Sequence, residues 1–225
     1  MKRSFALKIV VALLLFVSCD SMLNGNKESD TPDIGESLDP IEEVTLIEGT
    51  ENSILTVNIN RNKNTYFSIK LDNIKSNGII ANSEYDAWCI DVWKRIDSNN
   101  RSYQNIELYS TYLVEQWKSA NYLLNIQQEL QTQDLELTWL EIQLAIWSLR
   151  KYPEFNLDSV TLEDLPGQFK KDGEPTFNIK KVKEVLDIVE INYRDFDYEE
   201  KGTKFAVVAK MPVDVQTVIM TVKKK

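Results

Sequence analysis

Apolar and polar positions alternate with a period of two at two places early in the chain. Leu55, Val57 and Ile59 alternate with Thr56, Asn58 and Asn60, then Phe67, Ile69 and Leu71 with Ser68, Lys70 and Asp72. Separated by the polar stretch at 60–64, these runs predict a hairpin of half-buried strands. Val44 to Ile47 suggests a further strand, and so does 79–96. In the middle the period changes. Leu113, Trp117, Ala120 and Leu124 recur at helical spacing, widened by Leu123, Ile126 and Leu130. A second helix is expected from Thr138, where Thr138 and Glu141 form a capping-box pattern. It is apolar on nearly all sides, with Trp139, Ile142 and Ile146 on one face and Leu140, Leu144 and Trp147 on another, so it should be buried. Residues 153–177 hold three prolines and two glycines and read as an irregular connection. Asn178 can cap a third helix to about Tyr193, with Val182, Val185, Leu186 and Val189 inward and Phe177 stapled on Val182. Phe205 to Ala209 and Val215 to Val222 predict a terminal hairpin. The expected class is α+β, a β-sandwich or barrel built from strands of both ends of the chain, with a helical middle segment.

The first forty residues follow different rules. Lys2, Arg3 and Lys8 precede an apolar run, Ile9 to Val17, too short to span a bilayer, so 1–18 reads as an export signal. It ends Phe16-Val17-Ser18-Cys19, which resembles the lipobox of bacterial lipoproteins, with Phe16 at a position usually held by Leu. That resemblance implies that Cys19 carries the lipid. Residues 19–40 are acidic and interrupted by Pro32, Pro40, Gly25 and Gly35. They cannot bury enough apolar surface to offset the entropy of ordering, and should form a tether. Residues 41–225 are then the globular domain, held at the cell envelope by a lipid anchor.

Charge and composition narrow the chemistry. Removing Lys2, Arg3 and Lys8 takes the formal charge from −9 to about −12, which argues against nucleic acid. The chain has no histidine, which removes His-based triads, Cys–His dyads and the common zinc motifs. No cofactor and no metal are expected.

Set aside Cys19, and Cys89 is the only cysteine left, so it cannot close an internal disulfide. On a strand it would share a face with Asp91 and Trp93, with Trp88 on the other face. A neighbouring carboxylate raises a thiol's pKa and no cation stands close in sequence, which disfavours a nucleophilic hydrolase. Gln143 lies one turn from both Trp139 and Trp147, on the buried side of a buried helix. Left unpaired there, its amide would cost about 1–3 kcal/mol. A bond between the Cys89 sulfur and the Gln143 carbonyl carbon, with loss of ammonia, would answer both difficulties.

Trp88-Cys89-Ile90-Asp91 together with Ile142-Gln143-Leu144-Ala145-Ile146-Trp147 resembles the signature of bacterial thioester domains, adhesin modules with an internal Cys–Gln thioester. Ile142 stands where the family usually has Thr. The likeness extends loosely over 78–222, including Asn121 to Asn125 and Gln216 to Ile219. It implies covalent capture of a lysine amine on a target protein of a host or neighbouring cell, in one turnover, so a binder and not an enzyme. It also implies Asp91 as the proton acceptor and Trp88, Trp93, Trp139 and Trp147 as the walls that exclude water. Two other readings stand beside it: a non-covalent recognition module with Cys89 reduced, and a structural envelope lipoprotein.

Overall fold

The hairpin expected from the first alternating runs forms as β2 (Ser53–Ile59) and β3 (Phe67–Asp72), paired antiparallel from Ile54 opposite Asp72 to Ile59 opposite Phe67. This computed structural model describes residues 44–59, 64–132, 136–150 and 154–225. The signal segment, the tether and Cys19 lie outside the described residues. Before the hairpin runs β1 (Thr45–Leu46), and after it come β4 (Glu84–Cys89) and β5 (Asn99–Ser110). The chain ends in β8 (Lys204–Lys210) and β9 (Val218–Lys223), the expected terminal hairpin.

Six of these strands close on themselves in the order β5, β2, β3, β4, β9, β8, with β8 returning to β5 and β1 added alongside β5. All the pairings are antiparallel. Between the sandwich and the barrel, closure of the ladder makes this a barrel, and it leaves no long strand edge bare. The first and last hairpins therefore belong to one structure, joined through β4 on one side and β5 on the other.

β5 is the strand the alternation does not announce. Its first part is Asn, Asn, Arg, Ser, Tyr, Gln and Asn, mostly exposed, and only Ile106 and Leu108 are buried apolar positions. It is also bent at two places. Asn105 is the extra residue between the pairs Ser53–Ile106 and Ile54–Gln104, and Asn100 the extra residue between Val57–Arg101 and Asn58–Asn99. Both asparagines have φ of 57°, the left-handed conformation that Asn tolerates better than most residues. Such bulges bend and twist a strand. Here they let β5 pair with β2 in its first part and with β8 from Glu107 to Ser110.

Three helices accompany the barrel: α1 (Lys118–Thr132), α2 (Trp139–Leu149) and α3 (Ile179–Asn192). Leu113 does not join the α1 stripe as expected. It sits before a short 3-10 turn with φ of 61° and is 47% exposed, because the chain must turn from β5 before the helix can start. Two asparagines one helical turn apart tie α1 to β8. Asn121 accepts from Ala206 N (2.8 Å) and donates to Thr111 O (3.1 Å), and Asn125 accepts from Lys204 N (3.0 Å) and donates to Lys204 O (2.8 Å). They satisfy backbone groups that would otherwise be buried without partners.

The capping box of α2 forms as the pattern predicts. Thr138 accepts from Leu140 N, while the Glu141 carboxylate accepts from Thr138 N (2.9 Å). The other Glu141 oxygen accepts from Asn178 N (2.8 Å), so the start of α2 also fixes the start of α3. Asn178 caps α3 through Lys180 N and Lys181 N, and Val182, Val185 and Val189 are buried as expected. Within the connection between α2 and α3, β6 (Lys170–Lys171) and β7 (Glu174–Pro175) form a small separate hairpin. It follows Phe169, whose ring is fully buried and meets Phe177 at 6.1 Å between centroids.

Candidate functional site

β4 ends at Cys89, and the way it ends builds the site. Its ladder with β3 stops at the pair Phe67–Ala87, while toward β9 the bonding continues, with Ile90 N donating to Thr217 O (3.1 Å). Alternation of backbone groups turns the N–H and C=O of Cys89 the other way, to the side β3 has left. There the side chain of Gln143 takes the place of a strand. Its Oε1 accepts from Cys89 N (2.9 Å) and its Nε2 donates to Cys89 O (2.7 Å). Both residues are 0% exposed. The amide that the sequence leaves without partners is thus paired, and it is paired to the main chain of the cysteine it was matched with.

Asp91 and Trp93 do not share a strand face with Cys89, because the strand has ended and the chain turns. The turn is held by the sulfur itself: the thiol donates to Asp91 O (3.0 Å), and Asp91 N donates back to the sulfur (3.3 Å). Gln216 Nε2 donates to the same Asp91 carbonyl (2.5 Å). The Asp91 carboxylate accepts from Trp93 N (3.1 Å) and pairs with Lys94 Nζ at 3.7 Å. A cation therefore does stand close, three residues beyond Asp91, contrary to the sequence reading. Lys94 Nζ is buried and makes no hydrogen bond. Burial raises the Asp91 carboxyl above the ordinary carboxylate range, opposed by Lys94 and the backbone N–H groups.

The aromatic surroundings divide. Trp88 and Trp147 are buried, and Trp139 is half-buried. Trp93 is 41% exposed, with its indole N–H directed to Glu154 O (3.4 Å), so it does not wall off the sulfur as expected. Its place is taken by residues the sequence did not single out. Tyr66, just before β3, stacks on Trp139 at 5.1 Å and meets Trp147 and Phe169 edge-on. Gln168 donates to the Tyr66 hydroxyl, which links this cluster to the segment before β6. Burial pushes the Tyr66 phenol far up, and the nearby Cys89 adds to that. Tyr66 falls out of phase with the alternation that begins at Phe67, directly after the polar run 60–65, so no pattern marks it.

Burial also pushes the Cys89 thiol well up. Hydrogen bonding at Asp91 opposes this, as does the indole of Trp147, whose N–H lies close to the sulfur without forming a regular hydrogen bond. In the thiol form the proton stays on sulfur at neutral pH. The unfolded chain releases that proton first as pH rises past about 8.5, so stability should fall above that value and be fully present below it. Urea midpoints measured from pH 7 to 10.5 should decline more steeply for the thiol form than for Cys89→Ala. Parallel curves would show that the thiol is not protected.

Among the described residues no three side chains are grouped to hold a metal ion, and no helix is long and apolar enough to cross a membrane. Fold and site together define the molecule as a closed antiparallel barrel with a buried cysteine–glutamine pair between a strand end and a helix. Comparison of the chain with protein-family models, with curated proteins and with solved structures finds no match.

Proposed function

We propose that the domain is a covalent amine-capture module whose reactive group is a Cys89–Gln143 thioester, displayed on an envelope lipoprotein anchored through Cys19. The observation that carries this reading is the reciprocal hydrogen bonding between the Gln143 carboxamide and the Cys89 main chain. It holds the carbonyl to be attacked against the residue that bears the nucleophile, in surroundings closed to water. In the forming step the sulfur bonds to the Gln143 carbonyl carbon, and Nε2 leaves as ammonia with the thiol proton. Negative charge gathers on Oε1, which already faces the Cys89 N–H at 2.9 Å, one donor of an oxyanion site. In the capture step a lysine amine attacks the same carbon. The C–S bond breaks, sulfur takes up a proton, and an isopeptide remains. Asp91, raised by burial, is the group assigned to accept the amine's proton and pass it on.

One observation favours a second reading. With the carboxamide paired and the thiol donating to Asp91 O, the reduced pair is itself satisfied. That suits a non-covalent binding module, in which Cys89 and Gln143 simply finish β4. Intact-mass analysis of freshly purified protein decides between them. A thioester makes the protein one ammonia lighter than its sequence, and methylamine then adds one methylamine mass and exposes one titratable thiol. Full sequence mass with a free thiol before any treatment would rule the thioester out.

A further inference from the structure

On the far side of β4 from the sulfur lies a cleft of about 940 Å³, a volume in the range of small-ligand sites. Strand alternation turns Glu84 and Asp86 away from the face that carries Ala87 and Cys89. Its floor is a polar row in register across four neighbouring strands. Asn99 stands opposite Asn58, Asn58 opposite Ser68, and Ser68 opposite Asp86. Adjacent strands bring these side chains about 5 Å apart, close to the length of one pyranose ring.

Three features give the cleft its chemistry. The bulge at Asn100 directs both Asn99 and Asn100 into the cleft, and bulges of this kind re-aim side chains at functional sites. Ser68 donates to Glu84 within the cleft, Asn58, Asp86 and Asn99 bond no other described side chain and face solvent, and the hydroxyl of Thr221, which also lines the cleft, is buried and unpaired. Charge is balanced, with Glu84 and Asp86 against Lys223 and Lys225, so the cleft favours neither an anion nor a cation. Amides, carboxylates and hydroxyls spaced along a row match a ligand with many hydroxyls, because the amides and hydroxyls donate and accept and the carboxylates accept from neighbouring O–H groups. Ile79 supplies an apolar flank for the C–H face of a sugar.

We propose that this cleft binds a neutral saccharide chain, independently of the chemistry at Cys89. The probes are neutral tetrasaccharides of glucose, galactose, mannose and N-acetylglucosamine, with trilysine and triglutamate as charged competitors, followed by saturation-transfer NMR on the full chain. At least one tetrasaccharide should bind. Asn58→Ala and Asp86→Ala should each weaken it at least tenfold, whereas Cys89→Ala and the distant Glu190→Ala should leave it unchanged. Circular dichroism melts of the two cleft variants serve as the folding control, since Asp86 is exposed and Asn58 half-buried. Silence from all four sugars overturns the proposal. So does binding that survives both substitutions, or stronger binding of either charged peptide. Loss of binding in Cys89→Ala would overturn the independence of the two sites.

Discussion

Gln143→Ala should destabilise the protein by about 3–5 kcal/mol, at least about twice the effect of Cys89→Ala. The reason lies in which part of Cys89 the glutamine holds. Its carboxamide pairs with the main-chain N–H and C=O of Cys89, so truncation leaves a buried donor and a buried acceptor unsatisfied, at about 1–3 kcal/mol each. It also opens a small cavity beside Trp147. Cys89→Ala keeps both of those backbone bonds but removes the sulfur that Asp91 N donates to, while Asp91 O keeps its bond from Gln216, so a loss of about 1–2 kcal/mol is expected. Gln143→Glu turns a carboxylate oxygen toward the Cys89 carbonyl, and it should be partly rescued as pH falls and the acid takes up a proton. Urea unfolding of the three variants and the parent, the parent taken in its thiol form, checks the order. Equal losses for Gln143→Ala and Cys89→Ala would mean that the carboxamide does not finish the strand.

Ending the chain after Lys201 should abolish cooperative folding altogether. That cut removes β8 and β9, which pair with each other, with β4 and with β5. The barrel would then expose β4 along one edge and the second half of β5 along the other, and α1 would lose the backbone groups that Asn121 and Asn125 hold. Cys89 would lose its Val218 neighbour, and the turn after it would lose the Gln216 bond to Asp91 O. Denaturant titration by far-UV circular dichroism should show no sigmoidal transition. A truncated chain that unfolds cooperatively would mean that the first hairpin and the helices form a core of their own.

Elements whose burial is regular could be read directly from the residues. The β2–β3 hairpin shows itself by its period of two, α2 by its capping box and its apolar residues on nearly all sides, and the terminal hairpin by two short apolar runs. β5 could not be read, because its first half is exposed on most positions and its two bulges break the alternation at Asn100 and Asn105. The pairing of Cys89 with Gln143 was legible because each residue is out of place by itself: a thiol with no disulfide partner and an amide among tryptophans. What held them together was not. Gln143 meets the backbone of Cys89, and no side-chain pattern reports where a strand's ladder stops. Lys94, Tyr66 and Gln216 enter the site through the turn after Cys89 and through loops, where sequence spacing says little about distance.

The two bonds between Gln143 and Cys89 also set what the proposed capture would have to overcome. Forming the thioester would expel Nε2, the donor that reaches the Cys89 carbonyl. That buried oxygen would then be stranded, at a cost of about 1–3 kcal/mol. A lysine amide in the ordinary trans form carries its N–H on the side away from its own oxygen. With Oε1 still held by Cys89 N, it would set a lysine carbon, and no donor, against the stranded oxygen. The unreacted carboxamide is therefore the state that fits, favoured over the primed one by roughly fivefold to a hundredfold. A barrel that finishes one of its strands with a side chain would have to surrender that borrowed strand to load its latch.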